Sequence, residues 1–258
     1  MSLVNPADPN VADREFQRYL TSRETPLFRQ LGPPITAAIR LQVTRSSIQA
    51  QDYLVARGGP ILFKAYRRIS ADMYRDVDTS LAKSVHGIFK ADDDDGTLSD
   101  FLTEQLLSLQ SRATRTITGI AENLSREIFE RVMALVQDGE PTDVIAREIR
   151  AKAPEISKPR SAAIARTETH NSALDAIDET LKYKRIRVRT KQWWSAQDTR
   201  VRPTHALAHG QKVPKDEPFE VGDYQMMRPG DSSLGAGAEE IVNCRCAMLQ
   251  FTETSAAA

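Results

Sequence analysis

This chain is poor in the residues that do chemistry. Its 258 residues include two cysteines, four histidines and two tryptophans, and aromatics make up only 6%. So few aromatics argue against a β-sandwich and for a helical, bundle-like first half. Net charge is absent too, since 35 Lys and Arg balance 35 Asp and Glu. That excludes a general cationic coat for nucleic acid or a polybasic membrane binder, although not a local basic face. No apolar run approaches the ~18 residues of a membrane-spanning helix. The opening MSLVNPADPNVADREF has no apolar stretch of a secretory signal. Two cysteines spaced Cys-x-Cys strain a local disulfide. The expected setting is therefore the cytoplasm, with reduced thiols or a bound metal.

What is scarce is also concentrated. Both cysteines, both tryptophans and three of the four histidines fall in the last hundred residues. The text before them is helical in period. Residues 1 to about 15, rich in Pro, Asn and Asp, read as an extended arm. Ile35, Ala38, Ile39 and Val43 follow Pro33-Pro34, a pair suited to a helix start. Gly58-Gly59-Pro60 punctuates, and Ile61, Leu62, Ala65, Ile69, Met73 and Val77 sketch the next helix. The acidic run Asp92 to Asp95, closed by Gly96, reads as a solvated loop, because it lacks the alternating ligands of an EF-hand. Ser99 or Asp100 is suited to cap a long helix that Asp138-Gly139 stops. A short helix is expected from Thr142 to about Lys152, then a break bracketed by Pro154 and Pro159. Ser157 would cap a second helix from about Lys158 to Leu181.

After Tyr183 the period changes to two. Ile186, Val188 and Thr190 would face inward from a strand, leaving Arg185, Arg187, Arg189 and Lys191 as a basic outer face. Such a row can neutralise phosphates along a nucleic-acid backbone without reading sequence. Of Trp193 and Trp194, one ring should point inward. Glycines and prolines divide the rest into loops and short strands, the last near Ala247 to Phe251, with a frayed tail after it. The expected fold is α+β: an elongated, mainly helical region over 1–140, a small loop-rich α+β domain over 141–252, and a disordered tail over 253–258.

Three constellations stand out in the second part. Cys244 and Cys246, at i and i+2 on extended chain, project to one face and could reach one metal ion. With His205 and His209, four apart as on a helical turn, they make a candidate zinc set. The plainer reading is two small buried thiols, with no cofactor. His205, Asp198 and a cysteine supply the residue types of a thiol-protease triad, though no Gly-x-Ser-x-Gly motif accompanies them. Asp198, Arg200, Arg202, Asp231 and Asn243 read best as an internal polar network that ties together a domain with little regular structure.

Taken together, these pieces resemble the phage Mu F-like minor head protein family, the head morphogenesis domain. The resemblance covers roughly Thr142 to Phe251. It rests on Ile164-Ala165-Arg166-Thr167-Glu168, on Trp194 with Asp198, Arg200, Arg202 and His205, and on Gly210-Gln211 and Pro218-Phe219. Pro229-Gly230-Asp231 and Asn243-Cys244-Arg245-Cys246 complete it. The resemblance implies a minor capsid protein of a tailed phage or phage-like particle, made in the host cytoplasm and built into the head in few copies during procapsid assembly. Its implied partners are the portal protein, the major capsid or scaffold protein, and packaged DNA by non-specific contact, with no membrane. It implies no catalytic residues. Some family members carry a toxin domain after the signature. None is expected here, where seven residues follow Phe251. The alternative is a metal- or thiol-dependent hydrolase packaged in the particle.

Overall fold

The computed structural model describes residues 8–44, 47–84 and 98–252. The acidic run and the tail after Thr252 lie outside them. Four long helices come first: α1 (Pro9–Thr44), α2 (Ser47–Ser84), α3 (Leu98–Gln137) and α4 (Thr142–Tyr183). Short elements follow: β1 (Val188–Trp194), α5 (Pro203–Leu207), β2 (Lys212–Pro214), β3 (Phe219–Val221), β4 (Tyr224–Met226), α6 (Ala238–Ile241) and β5 (Ala247–Thr252). The class is α+β, as the change of period at Tyr183 requires.

Several helices run through positions where local rules place breaks. The expected N-terminal arm is helical from Pro9. Asp8 caps it, its Oδ1 accepting from Asn10 N at 2.8 Å, and Pro9 occupies the first position, where no N–H is needed. α1 continues through Pro33-Pro34 rather than starting there. α2 runs through Gly58-Gly59-Pro60. Gly58 serves close packing: a Cβ there would stand 2.6 Å from Ile117 Cδ1. α4 is continuous through Pro154 and Pro159. Interior prolines cost about 3 kcal/mol in an isolated helix, but burial of Ile149, Ala153 and Ala165 offsets this in place. Ser157, expected as a cap, lies buried mid-helix. Its hydroxyl donates to Pro154 O at 3.0 Å, and Ser161 Oγ donates to Ser157 O at 2.6 Å. The stop after α3 is where the sequence puts it, with Gly139 at φ 79°.

Contacts group the chain into two compact units. One holds residues 23–67 and 105–165; the other holds 1–22, 68–104 and 166–258. The first is all helical, and Leu31, Ile35, Ile39, Leu54, Leu62, Tyr66, Ile117 and Ile128 form its core. Glu127 there accepts from Arg160 and lies 3.5 Å from Arg131. In the second unit, β1 is the centre of an antiparallel sheet ordered β2-β1-β5, and β3-β4 is a separate hairpin. Phe16, Leu20, Met73, Leu174 and Ile177 from the helices share one core with Trp193, Phe219, Met248 and Leu249. Gln17 Nε2 donates to Arg245 O at 2.6 Å, fastening α1 to the loop before β5.

Candidate functional site

The basic row forms only in part. Arg185 precedes the strand. Its φ of 54° and its N–H bond to Lys182 O at 2.9 Å make it the closing residue of α4. Val188 pairs with Thr252 and Thr190 with Phe251, so Arg189 is the extra residue of a bulge. One extra residue inverts the alternation after it. Lys191 therefore joins Val188 on the inner face and is 4% exposed. Its ammonium donates to Met227 O at 2.7 Å and lies 5.2 Å from the Phe219 ring centroid. Burial lowers its pKa from the ordinary lysine value. Arg185, Arg187 and Arg189 are exposed. Below Lys191 an open pocket of about 350 Å3 holds charges of both signs, among them Asp175, Asp178, Lys182 and Arg228. Arg228 donates to Asp175, and Gln250 Nε2 donates to Asp178.

The polar residues singled out in the sequence hold the loops. Asp198 takes both guanidinium nitrogens of Arg245, each at 2.7 Å, and also accepts from Arg200 N at 2.9 Å. The Arg245 bond holds the Asp198 carboxyl well below the usual carboxylate range. Arg202 donates to Val242 O. Asp231 closes the Pro-Gly-Asp turn by accepting from Met227 N at 3.1 Å and Ser233 N at 3.0 Å. Gly230 within that turn has φ 74°, and a Cβ there would stand 2.2 Å from Asn171 Oδ1. Asn243, at φ 60°, joins two parts of the signature. Its Oδ1 accepts from Arg166 Nη1 at 2.7 Å, and its backbone N donates to Thr167 Oγ1 at 3.0 Å.

The two thiols meet an imidazole. His205 Nδ1 lies 3.3 Å from Cys246 Sγ and 3.8 Å from Cys244 Sγ. All three residues are buried, at 2%, 1% and 2% exposure for His205, Cys244 and Cys246. α5 presents His205 from a short helical turn opened by Pro203. The expected partner His209 is elsewhere. α5 ends at Leu207, so the four-residue helical spacing does not extend to it. His209 Nδ1 instead accepts from Ser195 N at 3.1 Å, and its ring packs 4.5 Å from Trp194. Burial lowers the His209 pKa, in keeping with a neutral acceptor.

A catalytic triad is not assembled from Asp198. Both its oxygens serve Arg245, and Glu240 Oε2 is the carboxylate beside His205, 2.8 Å from Nε2. Thr204 Oγ1 holds that same Glu240 oxygen at 2.9 Å. A nucleophile also needs an approach for substrate, and these thiols have almost no exposed surface. The Cys246 thiol is pushed well up, first by its hydrogen bond with Cys244 and then by burial. Trp193 walls the group, its ring edge-on to His205 at 5.2 Å. His170 Nε2 lies 2.7 Å from Cys246 O and fixes the backbone of the pair.

Sequence reasoning missed Glu240, His170 and Arg245 as contributors. Only Arg245 left a signal: if positions i and i+2 face one way, the residue between them faces the other, where Asp198 lies. Glu240 and His170 lie 35 residues after and before His205 and carried no local mark. A family model described as Phage Mu protein F like protein matches residues 126–249. No curated protein and no solved structure matches this chain.

Proposed function

We propose, from the match of residues 126–249 to the phage Mu F-like family model, that this chain is a head-morphogenesis protein: a minor capsid protein that binds the portal inside the head, near packaged DNA. The family match carries the reading. Its assembly role calls for surfaces rather than a reaction centre. The polar residues of the matched segment hold loops together, and its thiols are sealed from solvent.

An apolar face on α3 supports docking. Phe129, Met133 and Val136, at i, i+4 and i+7, are 61%, 39% and 47% exposed. Large apolar side chains in one stripe fit a helix-in-groove interaction, here with a portal or inner-capsid subunit. Co-expression with a tailed-phage portal protein from the same genome tests this. The wild type should co-purify with the portal, and Phe129→Asp with Val136→Asp should reduce recovery at least ~10-fold, the effect of about 1.4 kcal/mol. Equal recovery of the double variant removes this face from the interaction. Absence of the chain from mature particles defeats the head-protein reading itself.

DNA binding is the second part of the proposal. Arg185, Arg187 and Arg189 are its exposed cations; Lys191 drops out because it is buried. Replacing the three arginines with Glu should weaken retention on duplex DNA at low salt. For every phosphate that is no longer neutralised, the slope of log affinity against log salt should flatten by about 0.9. An unchanged salt dependence removes the claim.

A further inference from the structure

We propose that Cys244, Cys246 and His205 bind one zinc ion, with Glu240 as the positioning residue behind the imidazole. The inference stands on this cluster alone and does not depend on the head-protein reading. The ligand atoms of the three residues lie within 4.8 Å of one another. A tetrahedral zinc, with Zn–S near 2.3 Å and Zn–N near 2.0–2.1 Å, separates sulfur from nitrogen by roughly 3.6 Å. The two Nδ1–Sγ distances, 3.3 and 3.8 Å, bracket that value.

A hydrogen-bonded chain from Cys244 through Cys246 to His205 Nδ1 is the metal-free alternative that the test below must exclude. A neutral imidazole Nδ1 either donates one hydrogen or accepts through one lone pair. It satisfies one thiol, not two. A cation between them uses the nitrogen lone pair and both sulfurs at once. Charge also balances. Two thiolates cancel the double charge of the ion, so the buried group is neutral, whereas unpaired buried thiolates would be costly. Paired thiolates with an imidazole are soft ligands suited to zinc rather than to magnesium or calcium.

The surroundings have the form of an outer shell. A zinc-bound histidine commonly offers its second nitrogen to a carboxylate, which fixes the tautomer and ring orientation. Glu240 Oε2, held by Thr204, stands 2.8 Å from Nε2, near enough for that role although the pair lacks the alignment of a hydrogen bond. Among the described residues no fourth His, Cys, Asp or Glu joins the group. The fourth position therefore falls to water or another small ligand. Bound there, zinc would cross-link α5 to the loop before β5.

The test is elemental analysis of the full-length protein purified under reducing conditions from cells grown with zinc. About one zinc per chain is expected. After chelation, cobalt(II) added to the wild type should give the thiolate charge-transfer and strong visible bands of a tetrahedral site. Cys246→Ser should lose the charge-transfer intensity. Glu240→Gln should keep the cobalt spectrum while binding zinc ~10–100-fold more weakly. Background zinc in the wild type together with no cobalt spectrum overturns the proposal. Should the cysteine variant fail to fold, wild-type stoichiometry and spectrum still decide it. Glu240→Gln binding zinc as tightly as the wild type would overturn the positioning role.

Discussion

Trp193→Ala lowers the unfolding free energy of the sheet-containing unit by about 3–5 kcal/mol, the usual range for truncating a buried large aromatic. Trp193 has no exposed surface, and its ring packs edge-on to Phe219 at 5.5 Å as well as to His205. It sits on the central strand, opposite Met248 of β5, where neighbours on both sides constrain relaxation. Cross-strand partners and hairpin residues would line the cavity, and these short elements have little packing of their own to close it. Trp193→Phe keeps an aromatic ring against Phe219 and should lose roughly half as much. The check is hydrogen exchange resolved by segment, since two compact units need not unfold together. Protection should fall across β1 and β5 while residues 105–128 of α3 stay protected. A loss under about 1 kcal/mol would mean that the site collapses around a smaller side chain.

Asn243→Ala should cost about 2.5–5 kcal/mol, from two separable causes. Its backbone is left-handed at φ 60°, a conformation that Asn tolerates and Ala enters at about 1–2 kcal/mol. Its side chain accepts the Arg166 guanidinium at 2.7 Å, and hydrogen bonds to charged groups contribute about 1.5–3 kcal/mol. Asn243→Gly removes the backbone strain but still lacks the acceptor, so it should recover about 1 kcal/mol relative to Ala. Arg166→Met combined with Asn243→Gly should show a coupling energy of at least ~0.5 kcal/mol by denaturant titration. Additive effects would show that the bond between α4 and the NCRC loop contributes nothing to stability. Gly as costly as Ala would remove the backbone argument instead.

The same residue separates what is local from what is not. The change of period after Tyr183 marks the passage from helix to strand, and it needs no partner to be seen. The stop at Asp138-Gly139 is equally local, because Gly139 takes a left-handed turn. The inward face for one of two adjacent tryptophans follows from strand geometry. By contrast, the expected breaks at Pro33-Pro34, Gly58-Gly59-Pro60 and Pro154 to Pro159 rest on true local costs that a packed partner outweighs. Gly58 is the clearest instance: the missing side chain that weakens an isolated helix admits Ile117 here.

Composition and order alone determined the residue types of the second part, their arrangement along the chain and the resemblance they carry. Only the tertiary structure decided which of them meet. A one-residue bulge at Arg189 turned Lys191 inward and shortened the basic row. A five-residue helix brought His205 to the cysteines and left His209 aside. Glu240 reached His205 across 35 residues of sequence. Periodicity is a property of neighbours along the chain. A bulge or a helix end resets its phase, and contacts between distant segments obey the packing of the core.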